Sequence, residues 1–309
     1  MKIGYFADGP WSHATIELLS KMSGVRILFI VPRFDTQDPI LKQWAHDLNI
    51  PFIVSENVND VEFIERVKVF NADLFLSMSF NQILKAPILS VPHKGFINCH
   101  AGKLPFYRGR NPLNWALIND EKEFGITVHF IDEGIDTGDI IVQDIEHISD
   151  TDDYASLLAR AIEGCALSVE KAIKLLLADD FLPTKQSSIH PVGTYFGRRI
   201  AGDELIDFNW SAKRLFNFVR AITSPGPCAR FYVRGEEFAI GRLELIPGAP
   251  EYIATIGEVI GRSERGNILK VGDSTVLITS VTTIRYGQAG NFECPKFKVG
   301  TRLIGVDNL

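Results

Sequence analysis

The sequence predicts an α/β protein: an open, mostly parallel sheet followed by a smaller β-rich domain. Three observations predict it. Over the first 150 residues, apolar β-branched runs alternate with helix-period segments. A long amphipathic segment and a Pro- and Ser-containing stretch then close that pattern. From about Ala201, short strands separated by glycines take over.

Lys2–Ala7, Val25–Val31, Phe52–Ser55, Asp73–Ser79 and Gly95–His100 read as strands, and Ser12–Met22, Ile40–Leu48 and Val61–Phe70 as the helices between them. Such alternation implies parallel pairing with helices on both faces, a Rossmann-like arrangement. Pro112–Asn119 reads as a helix, and Thr127–Ile131 with Ile140–Ile145 as a strand pair. Asp153–Asp179 is a long helix, because Leu157, Leu158, Ile162, Leu167, Val169, Ile173 and Leu176 recur at helical spacing. Pro183–Gly193 reads as a linker. Beyond it a helix, Ala212–Ala221, precedes strands at Arg230–Val233, Phe238–Arg242, Gly257–Ser263, Ile268–Val271, Thr275–Ser280 and Thr301–Ile304, which suit a small barrel or curled sheet. The expected domains are 1–200 and 201–309.

The 309 residues, 46% of them hydrophobic, suffice for two cores. A net charge of -6 argues against a surface that grips phosphate backbones. Residues 204–309 carry 13 Lys and Arg against 11 Asp and Glu, and the preceding part 19 against 27, so neither offers the basic stripe of a nucleic-acid binder. No apolar run is long enough for a membrane span and no signal peptide is apparent, so a cytoplasmic location is expected. Cys99, Cys165, Cys228 and Cys294 are widely spaced and are expected to be reduced, with no disulfide or zinc site.

Open parallel sheets place ligands at the carboxyl ends of their strands, and polar residues stand at three such ends. Asn98 and His100 share one face of a strand, offering an amide donor for an oxyanion and an imidazole for a proton. The loop Asp132-Glu133-Gly134-Ile135-Asp136-Thr137-Gly138-Asp139 can bring a carboxylate beside that imidazole; metal binding is its competing reading. Ser79–Leu84 follows a third strand, where an ordinary cap is the simpler reading. Among the other histidines, His129 stands out because its strand feeds the Asp136 loop. The Gly9-Pro10 turn ends the first strand, which lacks the G-x-G-x-x-G of dinucleotide sites.

Asn98-Cys99-His100-Ala101, then Leu104-Pro105-Phe106-Tyr107-Arg108-Gly109, then Asp136-Thr137-Gly138 resembles the folate-dependent formyltransferase family, with its N-x-H motif, L-P-x-Y-R-G segment and D-x-G loop. The likeness runs from Met1 to about Asp179, and more weakly over Asp207–Pro227. It implies the formyltransferase fold and N10-formyltetrahydrofolate as co-substrate, with no metal. It also implies a catalytic trio of Asn98, His100 and Asp136. Phe80, Asn81, Gln82, Ile83 and Leu84, with Asp132, Glu133, Gly134 and Ile135, would form the pterin pocket, largely through backbone groups. The acceptor amine would attack the formyl carbon, Asn98 and protonated His100 would hold the oxyanion, and Asp136 would orient His100.

The acceptor is the finer question. Glycinamide ribonucleotide formyltransferases resemble only the first domain. Methionyl-tRNA formyltransferase also has a β-rich C-terminal domain, but typically reads S-L-L-P-x-Y-R-G-A. Here Gly102-Lys103 opens that segment and Arg110-Asn111 ends it, which resembles the dTDP-amino-sugar N-formyltransferases of surface-polysaccharide pathways such as lipopolysaccharide O-antigen biosynthesis. The expected acceptor is a dTDP-3-amino- or 4-amino-6-deoxyhexose. Methionyl-tRNA remains the alternative, and a non-catalytic folate-binding homologue a second one, against which the intact trio argues. Gly9, Pro10 and Tyr107 are candidates for substrate contact. Arg198 and Arg199 could neutralise a pyrophosphate, Trp210 offers a flat face, and Asn217 and Arg220 lie one helical turn apart. Phe292–Val299 reads as an alternating strand and suggests a homodimer through the C-terminal domain.

Overall fold

The computed structural model describes residues 1–179 and 181–306. In chain order its elements begin with β1 (Lys2–Ala7), α1 (Gly9–Lys21), β2 (Arg26–Pro32), α2 (Pro39–Asp47), α3 (Val61–Lys68), β3 (Leu74–Met78), α4 (Ala86–Leu89) and β4 (Phe96–His100). There follow β5 (Arg108–Gly109), α5 (Pro112–Ile118), β6 (Glu123–Phe130), β7 (Ile140–His147), α6 (Tyr154–Ala178), α7 (Gln186–Ile189) and β8 (Tyr195–Phe196). The remainder is α8 (Ala212–Ile222), β9 (Ala229–Val233), β10 (Glu236–Leu245), β11 (Val259–Ser263), β12 (Gly266–Lys270), β13 (Thr275–Arg285) and β14 (Gln288–Ala289).

The chain divides into two units, one of Met1–Pro112, Glu123–His147 and Ala159–Gly197, the other of Leu113–Lys122, Ile148–Leu158 and Arg198–Leu309. Residues 307–309, at the end of the second domain expected from sequence, lie outside the described residues.

In the first unit six strands form one sheet in the order β2-β1-β3-β4-β6-β7. The pairings from β2 to β4 are parallel, and β6 and β7 are antiparallel to their neighbours. The order reverses around β1, so the carboxyl ends of β1 and β3 flank a switch point where open sheets bind ligands. β3 is buried along its whole length, as a strand covered on both faces requires. Beneath these strand ends lies an aromatic core. The Phe6 ring lies 4.9–6.3 Å from those of Phe29, Phe63, Phe75, Phe80 and Phe96. Phe80 thereby pins the start of the 80–84 segment.

Several elements depart from the sequence expectation. Gly9-Pro10 is no free turn; it is the first turn of α1, where proline's missing N–H costs nothing. Phe52–Ser55 forms no strand but a single bridge, Phe52 to Ile30, because pairing stops after Ile53 N donates to the Ile30 carbonyl. The Pro183–Gly193 stretch is not a bare linker, since it contains α7.

In the second unit β11-β12-β13-β10-β9 form an antiparallel sheet, with β14 beside β13. Thr301–Ile304 is no regular strand. It makes bridges on two sides, Arg302 to Glu258 and Ile304 to Tyr232, and so joins the two edges of the sheet into a closed barrel. Helix α8 buries Leu215, Phe218, Val219 and Ile222. Phe292–Val299 is no regular strand, and its one bridge pairs Glu293 with Val281 of β13. Phe297 packs against Phe231 and Phe238 with ring centroids 6.1 and 5.3 Å away, and Phe297 N donates to Asn267 Oδ1 at 3.1 Å. The strand-like alternation there reflects one aromatic turned into its own barrel.

Among the described residues no helix is long and apolar enough to cross a membrane.

Candidate active site

A cleft of about 390 Å³ opens at the strand ends of the first unit. β4 delivers Asn98 and His100, and the antiparallel register sets His129 of β6 opposite Asn98. The loop after β6 returns Asp136 between the two histidines. Asp136 Oδ2 lies 3.6 Å from His100 Nδ1, and Oδ1 lies 3.5 Å from His129 Nε2. Asn98 Nδ2 lies 3.4 Å from His129 Nε2, and His129 Nδ1 donates to the Phe130 carbonyl at 2.7 Å. His100 Nε2 donates to the Tyr107 carbonyl at 2.7 Å. With its other nitrogen committed to a carbonyl, each imidazole turns one nitrogen toward Asp136.

Burial works against the Asp136 charge. The charge of His100, the hydrogen bond and charge of His129, and the Gly109 N–H at 2.9 Å outweigh it and hold the carboxyl far below the usual carboxylate range. Asp136 is therefore an anion at neutral pH. Its backbone is left-handed, at φ +53°, a conformation that favours glycine and persists only where surroundings impose it.

Two glycines are required by close approach. A Cβ at Gly102 would lie 2.4 Å from His100 Nε2 and 2.8 Å from the Tyr107 carbonyl oxygen. One at Gly138 would lie 1.9 Å from the Phe130 carbonyl oxygen. The first lets the His100 ring reach Tyr107, and the second lets the Asp136 loop fold back on β6.

Phe80, Asn81, Gln82, Ile83 and Leu84 line the cleft, as do Asp132, Gly134 and Ile135. Leu84 is buried with the aromatic core, whereas Ile83 is 71% exposed. Gln82 braces the neighbouring loop, accepting from Val58 N at 2.9 Å and donating to the Ser55 carbonyl at 3.1 Å. Asp132 Oδ1 accepts from Gly134 N at 3.1 Å and Thr137 Oγ at 2.5 Å, so its work is to shape its own loop. Glu133 is exposed and does not line the cleft. Among the described residues no group of three or more His, Cys, Asp or Glu is placed to hold a metal ion.

Residues 29–165 match the model of the formyl transferase family, and residues 200–285 match that of the formyl transferase C-terminal domain. The chain belongs to the formyl transferase family. The methionyl-tRNA formyltransferase of Thermodesulfovibrio yellowstonii is 34% identical over 234 residues, covering 73% of this chain and 74% of that one. An N-formyltransferase from Helicobacter canadensis, solved with folinic acid and dTDP-3-aminofucose, superposes with a TM-score of 0.68 at 21% identity, covering 90% of this chain and 99% of its own. The sugar 3N-formyl transferase WlaRD, solved with dTDP and 5-N-formyl-THF, gives 0.67 at 22% identity, over 90% and 97%. At such identities the structural likeness establishes the fold.

In this formyltransferase the cleft also holds residues that the sequence pattern did not single out. Arg33, at the end of β2, lines it and donates to Ser79 Oγ at 2.9 Å, with Asp8 Oδ2 3.4 Å away. The strand-end rule that found Asn98 would have found Arg33. Arg110 and Tyr195 line the cleft through the β5–β8 pairing, which joins segments far apart in sequence and leaves no local signal.

Other candidates have different occupations. Gly9 N donates to Asp38 Oδ2 at 2.9 Å, Pro10 is exposed, and the Tyr107 ring stacks on Phe196 at 5.2 Å; none of the three lines the cleft.

Within the second unit, Arg198 is exposed, and Arg199 Nη2 donates to the Asp203 carbonyl at 2.9 Å. Trp210 is half-buried: the Arg214 guanidinium sits 4.4 Å from its ring centre and Phe218 packs edge-on at 5.0 Å. Asn217 and Arg220 are 2% and 6% exposed. Arg220 Nε donates to Asn217 Oδ1 at 3.0 Å, and Nη1 to the Ser149 and Asp152 carbonyls at 2.8 and 3.1 Å. These bonds tie the pair to the unit's own structure, and Arg220 also lines a cavity of about 390 Å³ beside Asp150 and Asp152.

Proposed function

We propose that this formyltransferase moves the formyl group of N10-formyltetrahydrofolate to the amine of a nucleotide-linked amino-deoxy sugar. The observation that carries the reaction is the convergence of Asn98, His100 and His129 on or beside the Asp136 carboxylate in one cleft. Asn98 Nδ2 donates to the formyl oxygen as negative charge develops there. A bond forms between the acceptor nitrogen and the formyl carbon, and the bond from that carbon to N10 breaks. His100, with a proton already on Nε2, holds the proton lost by the amine at Nδ1, where Asp136 Oδ2 stabilises the imidazolium. The proton finally resides on N10, so the transfer balances without metal or oxidant. The 80–84 and 132–135 segments would receive the pterin.

The sugar acceptor rests on several supports. The two solved relatives named above were captured with dTDP or a dTDP-amino sugar. The net charge is -6, and a nucleotide diphosphate needs only a few local cations, whereas tRNA needs many. Arg198 and Arg199 are the nominees for the pyrophosphate. The typical S-L-L-P of the tRNA enzymes would set a serine at position 102, where a Cβ would strike His100. A product of this kind would enter cytoplasmic surface-polysaccharide synthesis, such as that of O-antigen. Methionyl-tRNA is the second reading, favoured by the 34% identity to a tRNA enzyme.

A competition decides. The protein is mixed with N10-formyltetrahydrofolate, dTDP-3-amino and dTDP-4-amino sugars, and methionyl-tRNA at two salt concentrations. Sugar formylation that depends little on salt is expected. Efficient, steeply salt-sensitive tRNA formylation without sugar product would overturn the sugar reading.

A further inference from the structure

We propose that Gln186, gripped by Arg108, is a positioning residue that sets the Asp136 carboxylate against the two histidines. The inference rests on the reading of the cleft given above. Gln186 opens α7, inside the stretch that sequence pattern alone presents as a linker. It is 2% exposed, yet its amide is fully used. Nε2 donates to the backbone carbonyls of Asp136 and Gly138, each at 2.8 Å. Oε1 accepts from Arg108 Nε at 3.0 Å and Nη2 at 2.7 Å. Arg108 Nη1 continues to the Val192 carbonyl at 3.0 Å.

One buried amide thus fastens the Asp136 loop to the segment that follows His100. The loop needs such a fastening. Asp136 holds a left-handed backbone, and the two carbonyls flanking Thr137 converge on a single pair of N–H groups. A buried carbonyl deprived of its donor is costly, so the loop relaxes when the donor is removed. Asp136 then loses its fixed separations of 3.6 Å from His100 and 3.5 Å from His129. The imidazoles of His100 and His129 face Asp136 from β4 and β6, so their ring-proton chemical shifts report the carboxylate's position. A glutamine with no hold on the Asp136 loop would leave those shifts alone.

The first measurement needs no acceptor: NMR chemical shifts of the His100 and His129 ring protons in the full chain at one pH. The forms compared are wild type, Gln186→Ala, Gln186→Glu, Arg108→Lys and Asp136→Asn. Gln186→Glu keeps the volume and the Arg108 partner but offers no N–H to the carbonyls. Both Gln186 variants are expected to move the ring-proton resonances in the direction that Asp136→Asn sets, and Arg108→Lys to move them less. With the acceptor found in the competition above, kcat should fall about 10- to 100-fold in the Gln186 variants, as a misplacement near 1 Å does, while KM for N10-formyltetrahydrofolate stays nearly constant. If Gln186→Ala does not fold, Gln186→Glu and Arg108→Lys carry the test. Unmoved histidines in every folded Gln186 or Arg108 variant, with Asp136→Asn moving them, would overturn the positioning role alone. If Asp136→Asn leaves them unmoved as well, the reading of the cleft falls and the positioning role with it.

Discussion

The cleft of the first unit and the buried face of α8 in the second unit both contain charged and amide side chains, but they satisfy them differently. Around Arg220, two of the guanidinium nitrogens donate at 2.8–3.1 Å to two carbonyls and an amide oxygen. Around Asp136, the contacts to His100, His129 and through Asn98 run at 3.4–3.6 Å, beyond good hydrogen-bond length. The first set spends its capacity on the fold. The second is held in place by other atoms, namely backbone carbonyls of Tyr107 and Phe130 and the Gln186 amide, and keeps capacity for a reacting group. Short, saturated contacts mark structural polar groups, and slightly long contacts within a rigid frame mark reactive ones.

His100→Ala breaks the comparison most severely if it is wrong. Loss of an acid–base group is expected to lower turnover by about 10²–10⁴-fold, with folate binding still measurable by titration. Near-normal turnover would remove His100 from the chemistry.

Asp136→Asn comes next. The carboxylate holds the imidazole beside it in place, so its loss should lower kcat and change the pH–rate profile. A change confined to the KM for folate would make Asp136 a ligand contact instead. Stability supplies a second check. The carboxyl titrates far lower in the folded chain than its free value of about 3.9. Its stabilisation is therefore present above that value and is lost as pH falls toward the folded-state titration. The gap in melting temperature between wild type and Asp136→Asn should narrow on acidification below about pH 4.

Arg220→Met probes the other region. It strands the Ser149 and Asp152 carbonyls, so a loss of about 3 kcal/mol in stability is expected, with kcat largely kept. A raised KM for the nucleotide sugar at unchanged stability would return Arg220 to the acceptor site. Trp210→Ala should have the smallest effect. Its ring is covered by Arg214 and Phe218, so the expected change is about 1–2 kcal/mol in stability. A selective rise in acceptor KM at constant melting temperature would show that its remaining surface binds substrate.

How much was legible follows from the range of each signal. Lys2–Ala7 is a strand to the residue, and Asn98, His100 and Asp136 meet in one cleft, because strand periodicity and a three-part motif are written in contiguous residues. His129 carried a weaker signal, since only the register between β4 and β6 sets it opposite Asn98. The intramolecular contacts of Arg220 and Trp210 were not legible in the sequence, for a physical reason. A cation on a helix and an indole just before it look the same in sequence whether they await a ligand or already pack and hydrogen-bond within the fold.

The sequence by itself determined the strand–helix alternation, the β-rich tail and the chemical identity of the trio, all of them local patterns of polarity. Tertiary structure alone decided that Phe297 turns into its own barrel, that Thr301–Ile304 closes that barrel, and that Gln186 sits behind Asp136. Each of these joins residues distant along the chain, and one residue's partner across such a distance is fixed by packing and hydrogen-bond satisfaction, which no short stretch of sequence encodes.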